Sequence, residues 1–202
     1  MSGTESKMGL RETKKAATRA AMSEAAAQIA LRQGAEKLTV AAVAEAAGVS
    51  TRTFHNYFTS REEPLVEALA TRVRTLVERL SEIPTEVCMA DAAEQLLIEA
   101  VRMDQTDGPE GIAAIFRLSD FLETTSGADL KATVHAELMP IIDEFRTRHP
   151  QLSRFEAGVG LDLLATTAAN ALEAYYESAA PRDPERGVEL LHQAFHVLRA
   201  IK

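Results

Sequence analysis

The chain has 202 residues, 46% hydrophobic and 26% charged, a mix that excludes a disordered polymer and suits one large or two small folded domains. Seven Phe, three Tyr and no Trp leave Ala, Leu and Val to fill the core, which favours close-packed helices over sheet. The net charge of −8 is uneven: residues 1–61 hold nine Lys/Arg against five Asp/Glu, a net of +4, so the remainder carries −12 and only the N-terminal part suits a polyanionic partner.

Residues 1–9 read as a flexible tail, polar and without periodicity. From Leu10 to Gln33 the pattern is helical, with Ala21, Ala25, Ile29 and Arg32 at helical spacing and Gly34 as the stop. Thr39 is placed to N-cap a short helix whose inward stripe is Val40, Val43, Ala44 and Ala47, and Gly48 breaks it. Ser50 caps a second short helix, Thr51 to about Phe58. Ser60 and Glu63 form a capping box before a longer helix through Leu65, Leu69, Val73, Leu76 and Leu80 to about Glu82. Pro64 lies in its first turns, where a missing amide donor costs little. Pro84 ends it.

Further helices are predicted over about 86–105, 110–124, 128–148, 153–179 and 185–201. Asp107-Gly108-Pro109, Ser126-Gly127, His149-Pro150 and Pro181-Arg182-Asp183-Pro184 separate them, and Pro140 is expected to kink the third. There is no strand-like alternation and no fixed-period repeat. The expected fold class is therefore all-α.

The informative stretch is Thr39 to Phe58, TVAAVAEAAGVSTRTFHNYF. Two short helices joined by a tight glycine turn make a helix-turn-helix. Val43, Ala47, Val49, Phe54 and Tyr57 fall where the helices bury side chains against each other. An ordinary helical hairpin would share that pattern, so the outward face decides. With Phe54 inward, steps of about 100° put Arg52 and Asn56 almost opposite it, flanked by Thr53 and His55. Arg can grip guanine O6/N7 and Asn adenine N6/N7, each with two hydrogen bonds. Thr and His can reach phosphates or a thymine methyl. Thr39 and Ser60 offer hydroxyls at helix N-termini, and Arg61 follows the second helix. Arg11, Lys14, Lys15 and Arg19 form a basic arm able to follow phosphates or enter the minor groove. The expected DNA-contact set is Thr39, Ser50, Thr51, Arg52, Thr53, His55, Asn56, Tyr57 and Arg61, with Lys14 and Lys15 from the arm.

Residues 10–82 resemble the N-terminal domain of TetR-type regulators. The run LTVAAVAEAAGVSTRTFHNYFTSREEPL, Leu38 to Leu65, follows that family's signature closely. His55 stands where the family often has a phosphate-binding Tyr, and Arg61 where it usually has Lys. The resemblance implies about nine helices, a dimer built on the last two long ones and an effector pocket in the C-terminal part. It implies a three-helix DNA-binding domain over 10–58, a connecting helix over 59–82, and a larger ligand-binding and dimerisation domain over 83–202. The expected function is a ligand-responsive regulator, a repressor by family habit, that holds a pseudo-palindromic double-stranded operator as a homodimer and lets go when a small-molecule effector binds. The alternative is a helical small-ligand-binding or interaction module without DNA binding.

Within residues 153–179, Gly158, Gly160, Ala165, Ala168, Ala169 and Ala171 allow close helix contact, and Leu161, Leu164 and Leu172 add apolar mass. With Leu190, Leu191, Phe195 and Leu198 they suggest a four-helix dimer interface, or an internal core. Met103, Phe116, Phe121, Met139, Thr166 and Asn170 are candidate effector contacts, mixed apolar and polar as ligand sites are. His192 and His196 are four apart, but no third ligand is placed beside them, so no metal is expected. Without a phosphate-cradling glycine loop, a Gly-x-Ser-x-Gly or a Cys pair, neither catalysis nor a cofactor is expected. Cys88 is the sole cysteine and is expected to be an idle or packed thiol, which suits a reducing compartment. No stretch reads as a signal peptide, and none approaches the roughly 20 apolar residues of a membrane span, so a cytoplasmic location is expected.

Overall fold

Glycine and capping residues divide this chain into helices at the points their chemistry dictates. The computed structural model describes residues 3–84, 86–103, 113–125, 128–178 and 182–200. The expected turns at Asp107-Gly108-Pro109 and Ser126-Gly127, and Pro181, lie outside those residues. In order the helices are α1 (Gly3–Gln33), α2 (Val40–Ala46), α3 (Thr51–His55), α4 (Glu63–Glu82), α5 (Met89–Met103), α6 (Ala113–Thr125), α7 (Ala128–Arg148), α8 (Arg154–Tyr176) and α9 (Pro184–Ala200), with one 3-10 turn at Ala35–Lys37. Among the described residues there is no strand, and the all-α expectation holds.

The helix begins earlier than the sequence pattern suggests. Backbone from Gly3 already belongs to α1, where a tail through residue 9 was expected. Lys7, Met8 and Leu10 are good helix formers, and propensity rather than an apolar stripe extends the helix. α3 is shorter than expected: it stops at His55, with Asn56 as its C-cap, so Tyr57 and Phe58 follow the helix. α4 opens at Glu63 with a shifted box. Ser60 Oγ accepts from the Glu63 amide at 3.3 Å, but the Glu63 carboxylate takes the Thr59 amide (2.7 Å) and the Thr59 hydroxyl. A complete capping box closes the start of α8, where Ser153 and Glu156 satisfy each other's backbone amides. Hydrogen bonds to the Glu156 carboxyl, from the Ser153 side chain first and the Ser153 backbone second, hold it below the usual carboxylate range. Pro140 lies within α7, and the helix continues through it.

Gly34 and Gly48 have φ of +89° and +67°, and no other described residue shows positive φ. Both end helices in the left-handed region that side chains resist. An added Cβ at Gly48 would meet no atom within 4 Å. The Gly48→Ala substitution is therefore expected to cost about 1–2 kcal/mol through backbone conformation alone, read as a lowered unfolding midpoint.

The chain forms two compact units that interrupt each other in sequence. One is Met1–Thr71 with Arg117–His135; the other is Arg72–Phe116 with Ala136–Lys202. α6 from Arg117 onward and the start of α7 thus group with the N-terminal helices. In the first unit α2 packs on α1 and α3 on α2. Met22, Ala26, Leu38, Val43, Ala44, Phe54, Phe58, Leu65 and Leu69 supply its buried apolar mass. The Arg117 guanidinium donates to the Leu31 carbonyl, tying α6 to the last turn of α1.

In the second unit α5, α8 and α9 pack together. Val101, Ala168, Leu172, Tyr175, Leu191 and Phe195 are buried there. At Gly187 the neighbouring side chains approach closely: a Cβ would lie 2.8 Å from Val101 Cγ1 and 3.2 Å from the Tyr175 ring. Val101 is itself fully buried and has nowhere to move. Gly187→Ala is expected to destabilise by about 1–3 kcal/mol, measured by denaturant unfolding, despite the gain in helix propensity. Across this unit Arg199 pairs with Glu94 and Asp91, and His192 Nδ1 lies 2.7 Å from the largely buried Glu94 carboxylate.

Candidate nucleic-acid interface

Thr39 and Ser50 sit at the two N-caps, in extended backbone, as their residue types require. Thr39 Oγ1 accepts from the Ala42 amide at 3.1 Å, and Ser50 Oγ from the Thr53 amide at 3.0 Å. Ser50 Oγ also lies 2.8 Å from Thr53 Oγ1. Ser50 and Thr53, expected at the DNA, thus spend their hydroxyls largely on each other and on the cap.

α3 stands on a hydrophobic footing. Phe54 and Phe58 are buried with ring centres 5.6 Å apart, and Val43, Ala44 and Leu38 are buried around the same motif. Of the five residues expected inside, Val43 and Phe54 are buried, while Ala47, Val49 and Tyr57 are half-buried. Phe58 and Leu38 carry more of the packing than the sequence pattern assigned them.

Arg52 and Asn56, which fall opposite Phe54, are exposed, as is the flanking His55, while Thr53 on the other flank is half-buried. Thr51 is exposed at the start of the helix. This edge offers a guanidinium, a carboxamide, an imidazole and a hydroxyl within six residues of backbone. Those are donors and acceptors suited to base edges, and no carboxylate stands among them. Lys14 and Lys15 are also exposed on α1. The Arg11 side chain lies outside the described residues.

Two arginines depart from expectation. Arg19 is not a free member of the basic arm. Its Nη1 donates to the Tyr57 carbonyl at 3.0 Å, its Nε pairs with Glu67, and its guanidinium carbon lies 4.4 Å from the centre of the Phe58 ring. Arg61 donates from Nη1 to the Leu38 carbonyl at 2.9 Å and from Nε to Glu62 at 2.7 Å. Both side chains are about two-fifths exposed, and both serve the domain internally. Local sequence pattern could not reveal either contact, since the partners lie 38 and 23 positions away.

Residues 23–69 match the family model described as bacterial regulatory proteins, tetR family. Over those residues the chain is similar to that family. The match begins within α1 and ends within α4, so the buried Phe54, the positive-φ Gly48 and the exposed Arg52 edge all belong to it. Solved structures named as TetR-family transcription regulators share the fold around this segment. The one from Shewanella sp. PV-4 is 18% identical, covering 89% of this chain and 95% of that one, with a TM-score of 0.58. Those from Marinobacter aquaeolei VT8 and Mesorhizobium loti MAFF303099 are 15% and 14% identical, each covering 92% of this chain and 97% and 96% of their own, with TM-scores of 0.52. At such identities the likeness establishes the fold. No curated protein sequence matches the chain.

Of the six expected effector contacts, Phe116, Phe121 and Met139 are half-buried, and Met103, Thr166 and Asn170 are exposed. Phe121 belongs to the first unit, where it lines a cavity of about 210 Å³ with Ala30, Leu31, Arg117, Leu118 and Asp120. Met103, Phe116, Met139, Thr166 and Asn170 belong to the second unit. Met103 ends α5 with 81% of its surface exposed. Thr166 and Asn170 are exposed one turn apart on α8, and Asn170 Nδ2 donates to the Thr166 carbonyl at 2.9 Å. Helical spacing cannot tell an inward polar residue from one on the outer side of the same helix.

Part of the expected dimer set packs internally, and the exposed apolar residues of α8 are ones that the sequence pattern did not single out. Ala168, Ala171, Leu172, Leu191 and Phe195 are buried within the chain itself. Phe155 (79% exposed), Val159 and Leu163 (52%) instead form an exposed stripe at intervals of four along α8, beside Gly158 and Gly160, whose added Cβ atoms would meet nothing. Val197 is exposed on α9. Cys88 is exposed and unpaired with another cysteine. Among the described residues no three His, Cys, Asp or Glu side chains are placed to hold a metal, and no helix is long and apolar enough to cross a membrane.

Proposed function

We propose that this protein is a ligand-responsive transcription regulator that holds a pseudo-palindromic operator as a dimer. The supporting observation is the exposed Arg52–Asn56 edge of α3, held opposite the buried Phe54. In this reading Arg52 and Asn56 read bases, while Thr39, Thr51, His55, Lys14 and Lys15 meet phosphates. Arg61, the cap Ser50 and its partner Thr53 brace the motif more than they touch DNA, and Tyr57 is half-buried. The apolar stripe of α8 and Val197 of α9 meet a second copy, which places two α3 helices in successive major grooves, about 34–36 Å apart.

A small molecule bound within the C-terminal helices shifts the dimer away from that spacing, so effector and DNA oppose each other and the outcome is repression relieved by ligand. No catalytic step is assigned to the protein, and its place is the cytoplasm, where its DNA would lie. Selection of duplexes from a randomised pool tests the reading. The expected result is enrichment of inverted repeats with half-site centres about 10–10.5 base pairs apart, bound with an affinity that falls steeply as salt rises. Absence of enrichment, or affinity indifferent to salt, would favour a helical binding module without a DNA partner.

A further inference from the structure

A five-residue helix cannot hold its own direction. Nucleation leaves so short a segment unstable unless its surroundings fix it. The direction of α3 decides where Arg52 and Asn56 point, so whatever grips its two ends shapes recognition. At the front end Gly48 sets the turn and Ser50 caps the Thr53 amide. The rear end is less obviously held: Asn56 is the C-cap, and the carbonyls just after a helix lack intrahelical partners.

Arg19 supplies that hold from α1. One guanidinium makes three contacts: the Tyr57 carbonyl, the Glu67 carboxylate on α4, and the face of the Phe58 ring. It thereby joins α1, the exit of α3 and α4 through a single planar group. A cation at a helix C-terminus is favourable in itself, and a planar fork fixes geometry that an ammonium cannot. Arg61 makes the matching bond at the other side of the motif, to the Leu38 carbonyl just before α2. Both ends of the helix-turn-helix are thus tied by guanidinium-to-carbonyl bonds from residues outside it.

We infer that Arg19 is a positioning residue for DNA recognition: it sets the aim of the Arg52–Asn56 edge rather than contacting phosphate. This rests on the DNA-binding reading above. Base contacts demand placement within about 0.5 Å, whereas phosphate contacts tolerate more, so a loosened α3 loses discrimination before it loses attraction.

The test uses the full-length protein, the duplex it selects and a scrambled duplex of equal composition, at a temperature where circular dichroism shows each variant folded. Arg19→Lys keeps the charge and removes the fork. It is expected to weaken binding to the selected duplex by about tenfold or more, to leave the scrambled duplex within about twofold, and to keep the salt slope. Glu67→Gln removes the carboxylate that orients Arg19. Simple charge removal would raise affinity for both duplexes, whereas mispositioning lowers the selected-to-scrambled ratio, and the ratio is expected to fall.

If Arg19→Lys binds both duplexes as the wild type does, while Arg19→Met weakens both equally and flattens the salt slope, Arg19 is a phosphate contact and the inference fails. An unchanged ratio in both Arg19→Lys and Glu67→Gln overturns it as well. Failure of the wild type to select any duplex instead removes the underlying reading.

Discussion

Alanine at both Arg52 and Asn56 is expected to abolish sequence discrimination and to leave the fold intact. Both side chains are exposed, so truncation opens no cavity and strands no buried partner. A good bidentate base contact contributes about 1–3 kcal/mol of discrimination, and a symmetric dimer makes each contact twice. Each single substitution is therefore expected to cost about 2–6 kcal/mol on a two-half-site duplex, a loss of roughly 30-fold to 10⁴-fold. Binding to a scrambled duplex changes far less, because phosphates supply that affinity. Fluorescence anisotropy titrations on the two duplexes read the ratio directly. Wild-type affinity and base preference in both variants would show that α3 does not read DNA.

The second large effect is on stability. Phe54→Ala is expected to cost about 3–5 kcal/mol, a sizeable part of the roughly 5–15 kcal/mol that holds a typical domain. Phe54 is fully buried, lies edge-on to the His55 ring and packs against Phe58, so the hole opens directly under the recognition edge. Neighbours cannot close it cheaply, since Val43 and Phe58 are themselves fixed in the core. Urea unfolding measures the loss, and selective DNA binding should vanish at temperatures where the mutant still keeps most of its helix signal. A cost below about 1 kcal/mol would mean that α3 is braced from elsewhere.

Much of this architecture was legible because short-range chemistry wrote it. Thr39 and Ser50 cap helices where their types and spacing say, and Gly34 and Gly48 take positive φ where helices had to stop. The outward edge of α3 followed from one inward aromatic and the helical period. What escaped depends on distant partners. Arg19 and Arg61 looked like free cations because the carbonyls they hold lie far along the chain. Thr166 and Asn170 looked like pocket residues because periodicity gives a face but not its orientation toward the core. The Glu63 box shifted by one residue because Thr59 offers both an amide and a hydroxyl to the same carboxylate.

The interleaving of the two units has a practical corollary for anyone wishing to cut the molecule apart. The chain passes between them at Thr71/Arg72, Phe116/Arg117 and His135/Ala136, and each passage falls inside a helix, in α4, α6 and α7. No surface loop therefore serves as a severable tether. A gene fragment ending at Glu82 would omit α6, which Arg117 fastens to the Leu31 carbonyl and which buries Leu118 and Leu122. Such a fragment would display bare hydrocarbon along the end of α1 and should precipitate or self-associate, whereas a graft that restores residues 113–135 through a designed connection should recover a monodisperse product.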